Sequence, residues 1–234
     1  MQRINRILVS SAVALALGLP LAASAADTGF YIGALAGTSS YDAKRSEWDA
    51  AAADLMGPDG TVDSTSLDKS DTAFGAVLGY QFMRNFGVEA YYLDLGKLKA
   101  NATGTIATEG GDLDATIDGK FESSGPALAL VAAFPFSEGW LADVRAGIYY
   151  GDTKIKITGS ASGPGGTATL EPISESQSRS TFMAGAGVGY SFGNNVSVRL
   201  DYLYFDDLGI KRTDLEATSN ANVFTLGVRY MFGG

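Results

Sequence analysis

The chain of 234 residues contains neither cysteine nor histidine. Without cysteine it has no disulfide, no thiolate metal ligand and no cysteine nucleophile. Without histidine it lacks the commonest general base and metal ligand, so a serine–histidine hydrolase site cannot be assembled. The formal net charge of −9 disfavours nucleic acid as a partner. These absences predict a protein that is not an enzyme, with no catalytic residues, no metal site and no cofactor.

Beyond its N-terminal segment, the chain also lacks the run of about 18 apolar residues that marks a membrane-spanning helix. The N-terminal apolar run, residues 7–21, follows Arg3 and Arg6 and precedes Ala23-Ser24-Ala25. A basic start, a short apolar core and a small-residue cleavage pattern are typical of a secretory signal peptide. We therefore expect residues 1–25 to direct Sec-type secretion to the periplasm and residues 26–234 to form one domain.

What the chain has instead is apolar residues at every second position, the pattern of strands with one apolar face. Residues 222–232 place five apolar side chains on one face, with Phe224 and Phe232 near the ends and aliphatic residues between. Aromatic ends, an aliphatic middle and a length of about 11 residues are typical of a strand that crosses a bilayer. Seven other segments show the same pattern: 30–38, 72–83, 86–97, 122–136, 140–155, 180–192 and 196–205.

The connections between these segments alternate in length. Three are short and contain Gly or Asn: 84–85, 137–139 and 193–195. Four are long and polar: 39–71, 100–119, 158–179 and 206–221. The alternation predicts an all-β fold, an eight-stranded antiparallel up-and-down transmembrane β-barrel with short periplasmic turns and long extracellular loops. A soluble β-sandwich is the alternative, but it has no reason to alternate loop length.

The face opposite the apolar one should fill the lumen, because an eight-stranded barrel is just wide enough for its own side chains. This face carries three acidic and three basic residues: Glu89, Asp143, Asp201, Arg145, Arg199 and Arg229. Unpaired charges excluded from water cost several kcal/mol each, so equal numbers predict a paired network that plugs the lumen. The alternative is a narrow, gated path for ions or small solutes.

Aromatic residues on the apolar face gather near the segment ends, where a barrel meets the two membrane interfaces. The predicted interface residues are Tyr80, Phe82, Trp140, Tyr190, Phe192, Tyr202, Tyr204, Tyr230 and Phe232.

Two features of the long loops have alternative interpretations. Residues 46–56 read as a short helix with a capping box at Ser46 and Asp49 and an apolar stripe. That stripe would either fold over the barrel mouth or touch lipid headgroups or a host surface. Asp112, Asp114 and Asp118 would be either a solvated acidic loop or a calcium site that departs from EF-hand spacing.

Four stretches resemble the OmpA-like transmembrane domain, an outer-membrane β-barrel family with porin-like members. They are Gly29-Phe-Tyr-Ile-Gly-Ala, Phe86-Gly-Val-Glu-Ala-Tyr-Tyr, Val198-Arg-Leu-Asp-Tyr-Leu-Tyr and Phe224-Thr-Leu-Gly-Val-Arg-Tyr-Met-Phe-Gly. The resemblance implies an inward pair between Glu89 and Arg199. It also implies that the barrel assembly machinery reads the C-terminal strand, although here Gly233 and Gly234 follow the aromatic Phe232.

The sequence therefore predicts a bacterial outer-membrane protein among lipid and lipopolysaccharide. We expect a structural role in envelope integrity, combined with adhesion or interaction through the surface loops, including contact with a host or cell-surface ligand. A narrow porin-like channel is the alternative function.

Overall fold

The computed structural model describes residues 28–164, 166–193, 195–211 and 216–232, and the predicted signal peptide lies outside these ranges. Within them the chain forms one helix and nine strands: β1 (Gly29–Tyr41), α1 (Arg45–Met56), β2 (Gly60–Asp68), β3 (Ser70–Met83), β4 (Phe86–Ile106), β5 (Leu113–Ser137), β6 (Trp140–Gly163), β7 (Gly166–Ser191), β8 (Val196–Lys211) and β9 (Glu216–Phe232).

Eight of the strands close into a barrel. Each pairs antiparallel with its neighbours in the order β4-β3-β1-β9-β8-β7-β6-β5, and β4 pairs with β5 to complete the ring. The first and last strands of the ring are joined in register, with Phe30 opposite Phe232. The predicted eight-stranded up-and-down barrel is confirmed. The ninth strand, β2, lies outside the ring and pairs only with β4.

Side chains alternate around the wall as the sequence predicts, with the apolar face outward. Leu128 and Leu130 are 60% and 67% exposed, whereas Ala127, Ala129 and Val131 between and beside them are buried. A band of exposed aliphatic side chains around a whole protein suits a lipid environment and not water. No helix among the described residues is long and apolar enough to cross a membrane.

The predicted long loops are largely strand, so the predicted boundaries of four central strands were wrong. The strands β4 to β7 contain 21, 25, 24 and 26 residues, about twice what a bilayer requires. The outward face turns from apolar to polar where these strands leave the membrane, so the membrane-strand pattern ends although the backbone pairing continues. The inward parity of a strand is the set of alternate positions that face the lumen. In β4 it changes from odd-numbered to even-numbered residues at a bulge at Gly96, whose φ is 70°.

The ends of these strands form a second structure beyond the barrel, which we call the projecting sheet. It consists of β2 and residues 97–106, 113–122, 152–163 and 166–178. Its inner face continues the lumen face and packs against α1, where Ala52 and Met56 are buried with Ile117. The indole of Trp48 donates a hydrogen bond to the carbonyl of Asn101 at 3.1 Å. The helix therefore lies on the lumen side of the sheet.

The capping box predicted for this helix is wrong. The residue before the first turn is Lys44, and no side chain caps the helix. Asp49 instead accepts a hydrogen bond from the hydroxyl of Thr65 in β2 at 2.6 Å. A tertiary contact to the projecting sheet thus replaces the local cap.

Met56→Ala should loosen α1 without disturbing the barrel, because truncation of a buried methionine costs about 2–5 kcal/mol. When trypsin is added to whole cells, we expect it to cleave this variant after Arg45 at least tenfold faster than the unmodified protein. Ala51→Ser, an exposed change on the same helix, is the control and should behave as the unmodified protein. Gel mobility without boiling should stay the same in both variants. An unchanged cleavage rate in Met56→Ala would contradict the packing of α1.

Candidate functional site

The six predicted lumen charges all lie in the half of the barrel nearest the short turns. Each occupies one of the first or last six positions of its strand at that end. All six are buried, and the most exposed of them, Arg229, is only 8% exposed. We refer to these residues, with the hydroxyl groups they contact, as the charge layer.

Arg145 is the centre of the charge layer. Its guanidinium donates to Asp201 at 2.6 Å and, through Nε, to Asp143 at 3.2 Å. It also donates to the hydroxyl of Tyr91 at 2.8 Å and lies 3.7 Å from Glu89. One cation thus links acids from three strands, which satisfies charges that would otherwise be costly to bury.

Glu89 lies on β4, across the lumen from Asp201 on β8. It accepts hydrogen bonds from Tyr31 at 2.6 Å and from Tyr91, and it forms an ion pair with Arg229. The Arg229 guanidinium carbon also lies 5.1 Å from the centre of the Tyr31 ring, a cation–π distance.

The structure gives Glu89 a different partner from the one that the resemblance implies. Arg199 contacts Asp143 and lies 3.3 Å from Asp201. Arg199 is on β8, and its acids come from β8 itself and from β6. Glu89 on β4 is instead reached by Arg229, which projects past Gly33 of β1. The pair expected between Glu89 and Arg199 is therefore replaced by Glu89–Arg229.

Glycines on neighbouring strands make room for the charge layer. A Cβ atom on Gly187 would lie 2.2 Å from Asp201 Oδ1 and 2.8 Å from an Arg199 nitrogen. A Cβ on Gly79 would lie 2.1 Å from the Tyr31 ring. The period-two glycines of the inward face thus allow long side chains from facing strands to reach one another.

Two participants were missed from the sequence, Tyr31 and Tyr91. Both lie on the inward parity, Tyr31 beside the outward Phe30 and Tyr91 two residues after Glu89. Counting hydroxyl groups of that parity, and not only charges, would have found them.

An apolar plug fills the lumen on the other side of the charge layer, where we expected a polar interior. Its fully buried side chains include Leu93, Tyr149, Met183, Leu203 and Phe205. The Tyr149 and Phe205 rings meet edge-to-face, with centroids 5.0 Å apart. These residues share the inward parity of the charges, so the lumen changes from ionic to apolar along its axis.

At the short-turn end the charge layer borders a small cavity of about 110 Å³. Its lining combines polar and charged residues, including Gln81, Asp143, Arg199 and Arg229, with apolar ones such as Leu141. The cavity therefore ends at the same ion pairs that close the lumen.

The predicted interface aromatics fall at both rims. Tyr80, Phe82, Trp140, Tyr190, Phe192, Tyr230 and Phe232 lie at the short-turn rim, and Tyr202 and Tyr204 lie towards the other. Several of these rings pack in pairs. The ring centroids of Trp140 and Tyr190 are 5.1 Å apart, as are those of Tyr230 and Phe232. Rings at the ends of the outward apolar face suit the membrane interfaces, and their interfacial role stays a prediction.

In the part of the chain that the structure describes, no three acidic side chains converge as they would around a metal ion. Asp112, Asp114 and Asp118, the calcium alternative from the sequence, are among the described residues and do not form such a cluster.

The family model for the OmpA-like transmembrane domain matches residues 25–234, nearly the whole chain. The chain belongs to the OmpA-like transmembrane domain family. As members of that family do, it resides in the bacterial outer membrane. No curated protein matches the chain.

Solved structures of other outer-membrane proteins are similar to this OmpA-like chain. The attachment invasion locus protein Ail of Yersinia pestis, in complex with the heparin analogue sucrose octasulfate, is 19% identical, with 87% of this chain and 99% of that chain covered and a TM-score of 0.44. OprG from Pseudomonas aeruginosa is 14% identical, with 90% and 99% covered and a TM-score of 0.42. The outer membrane protease OmpT from Escherichia coli is 11% identical, with 91% and 99% covered and a TM-score of 0.42.

A double-mutant cycle should separate the two pairings of Glu89. Combining Glu89→Gln with Arg229→Gln should give a coupling energy of about 1–3 kcal/mol, because the two groups are in contact. The control cycle, Glu89→Gln with Arg199→Gln, should give a coupling at least about 1 kcal/mol smaller. Urea unfolding from phospholipid vesicles measures both coupling energies. A larger coupling of Glu89 to Arg199 than to Arg229 would contradict the Glu89–Arg229 pair.

Proposed function

We propose that this protein is a closed structural barrel of the outer membrane that contributes to envelope integrity and presents a surface for interaction. The observation that carries the proposal is the double closure of the lumen, with the apolar plug stacked on the charge layer. The narrow porin-like channel, our alternative from the sequence, has less support because it would have to cross both.

The two layers obstruct ions for different physical reasons. The six charges of the charge layer sum to zero and are bound to one another, so a passing ion would have to break existing pairs. The apolar plug offers an ion no ligands, and removal of an unpaired charge from water is costly. An eight-stranded wall is also too narrow to hold a water-filled path beside its own side chains.

The projecting sheet supports the surface role. It is a folded structure with its own small core under α1, and it stands beyond the membrane on the side of the long connections. Ordered strands present fixed side chains, so they lose less conformational entropy on binding than a flexible loop does. We therefore propose that contacts with a host or other cell-surface ligand are made here.

Catalysis is not part of the proposal. One similar structure is a protease, so a barrel of this shape does not exclude an enzyme. The chain nevertheless offers no histidine and no cysteine for general-base or thiol chemistry.

Other partners follow from the outer-membrane setting. The outward face of the barrel contacts lipid and lipopolysaccharide, and β9 is the segment we propose for recognition by the barrel assembly machinery. The acidic chain is not proposed to bind nucleic acid.

Purified protein in a planar bilayer should show no stable conductance steps. A general porin, added to the same apparatus as the positive control, should show them. In a background of Arg145→Ser, which opens the charge layer, Tyr149→Ser with Phe205→Ser also opens the apolar plug and should make the barrel leak. Tyr202→Ser with Phe224→Ser is the matched control, because these rings also touch, at 4.9 Å, but lie on the lipid-facing side. Reproducible conductance from the unmodified protein would favour the channel.

The surface role is tested by shortening one hairpin of the projecting sheet. Replacing residues 158–172 by Asn-Gly keeps Ile157 opposite Ile173, as in the native register. Cells that lack the gene should become sensitive to detergent. Cells with the shortened hairpin should remain resistant to detergent but lose attachment to other surfaces. Glu138→Asn, a change in a periplasmic turn, is the control. Undiminished attachment would contradict the role of the hairpin.

A further inference from the structure

Lysines are concentrated on the outward face of the projecting sheet. Lys97 and Lys99 lie on β4, Lys120 on β5, and Lys154 and Lys156 on β6. They are five of the eight lysines in a chain whose net charge is −9. We call this group the lysine face, because it is a basic surface on an otherwise acidic protein.

Strand register places the lysines in two rows across the sheet. In the outer row Lys99 lies opposite Lys120, which in turn lies opposite Lys156. In the row nearer the membrane, Glu122 lies between Lys97 and Lys154. Residues directly opposite one another are about 5 Å apart at Cβ, and like charges at that distance destabilise a sheet. The outer row is thus unfavourable on its own.

Few acidic groups compensate these charges. The Lys120 ammonium lies 3.2 Å from Glu122. Around the other four lysines, no carboxylate of the described residues comes within 4.0 Å, although Asp68 lies opposite Lys99 in the register. The lysine face therefore retains positive charge that an external anion would neutralise.

The position of the lysine face indicates where that anion lies. On β5 it belongs to the same side of the strand as Leu128 and Leu130, which face the lipid. Tyr92, 60% exposed, lies opposite Pro126 at the upper edge of the apolar band. Four further residues along a tilted strand place the Glu122 row about 10 Å above that edge, within reach of the headgroup layer.

Acidic residues flank the two rows of lysines on the same face of the sheet. Towards the tip of β5, the same face carries the exposed acids Asp118 and Asp114. An anionic ligand from outside the cell would meet these carboxylates first. On the membrane side, Asp94 and Asp152 lie one row below the lysines, on either side of Ser124. Lysine stems can lie along the wall with their ammonium groups in the headgroup layer, so the short distance to that layer, and not the order of the charges, favours lipid.

We infer that the lysine face binds the phosphate groups of the outer-leaflet lipid, the lipid A moiety of lipopolysaccharide. The exposed hydroxyls of Ser174 and Ser176 lie opposite Lys156 and Lys154 and extend the site with further hydrogen-bond donors. The inference rests on the orientation in the proposed function, with the projecting sheet outside the cell, and does not depend on whether the lumen conducts.

The test compares two double variants that remove the same charge. Lys99→Gln with Lys156→Gln removes two unpaired lysines of the outer row and leaves the Lys120–Glu122 pair intact. Lys44→Gln with Arg45→Gln is the control, because it alters two exposed basic residues at the start of α1, on the other side of the sheet from the lysine face. Both variants and the unmodified protein are purified in a zwitterionic detergent, and their fold is checked by gel mobility before and after boiling. Binding is then titrated with diphosphoryl lipid A, dephosphorylated lipid A and heparin.

A lysine close to an anionic surface contributes about fivefold in affinity, so the lysine-face variant should bind diphosphoryl lipid A about 25-fold more weakly. The control variant should bind it as the unmodified protein does, and dephosphorylated lipid A should bind all three equally weakly. Equal losses in both variants, or no loss in either, would overturn the inference. Tighter binding of heparin than of lipid A would also overturn it and would assign the surface to a sulfated glycan. None of these outcomes changes the conductance, which tests the proposed function separately.

Discussion

Pairing of the first strand with the last is the constraint on which the rest of the structure depends. In hydrocarbon every backbone N–H and C=O must find a partner within the protein, so a sheet can cross a membrane only as a closed ring. The β1–β9 and β4–β5 pairings complete that ring. Closure with eight strands then fixes a narrow lumen, and the narrow lumen determines what the inward side chains can be.

The lumen meets this constraint in two ways along one axis. Near the short turns, beside the small cavity, ionic side chains neutralise one another and glycines such as Gly187 give them space. Farther from that end, Leu203, Phe205 and their neighbours pack as an ordinary apolar core. An ionic layer fixes the relative positions of several strands through directional bonds, whereas the apolar plug contributes non-directional burial. Both layers occupy the lumen.

The sequence predicted the barrel because alternation is a local signal that a closed sheet repeats eight times. It predicted the identity of the buried charges for the same reason, since parity alone places Glu89 and Arg229 inside. It could not predict that these two residues form a pair, because the tilt and stagger of the strands decide which side chains meet across the lumen. The capping box at Ser46 failed for a related reason: Asp49 has a tertiary partner in Thr65 that a local motif does not reveal.

The projecting sheet shows why membrane-strand patterns underestimate strand length. Inside the bilayer the outward positions of β5 are Leu128 and Leu130, and outside it they become Glu122, Lys120 and Asp118 while the backbone pairing continues without a break. Apart from Ser123, which is hydrogen-bonded to Tyr149, the inward positions carry no polar side chain, because Ile117 and Ala115 pack under α1 as Ala127 and Ala129 pack in the lumen. One strand therefore reads as two different patterns, and the level at which the outward face changes marks the membrane surface. The lysines are the first basic residues above that level, so the membrane boundary and the proposed lipid site have the same structural origin.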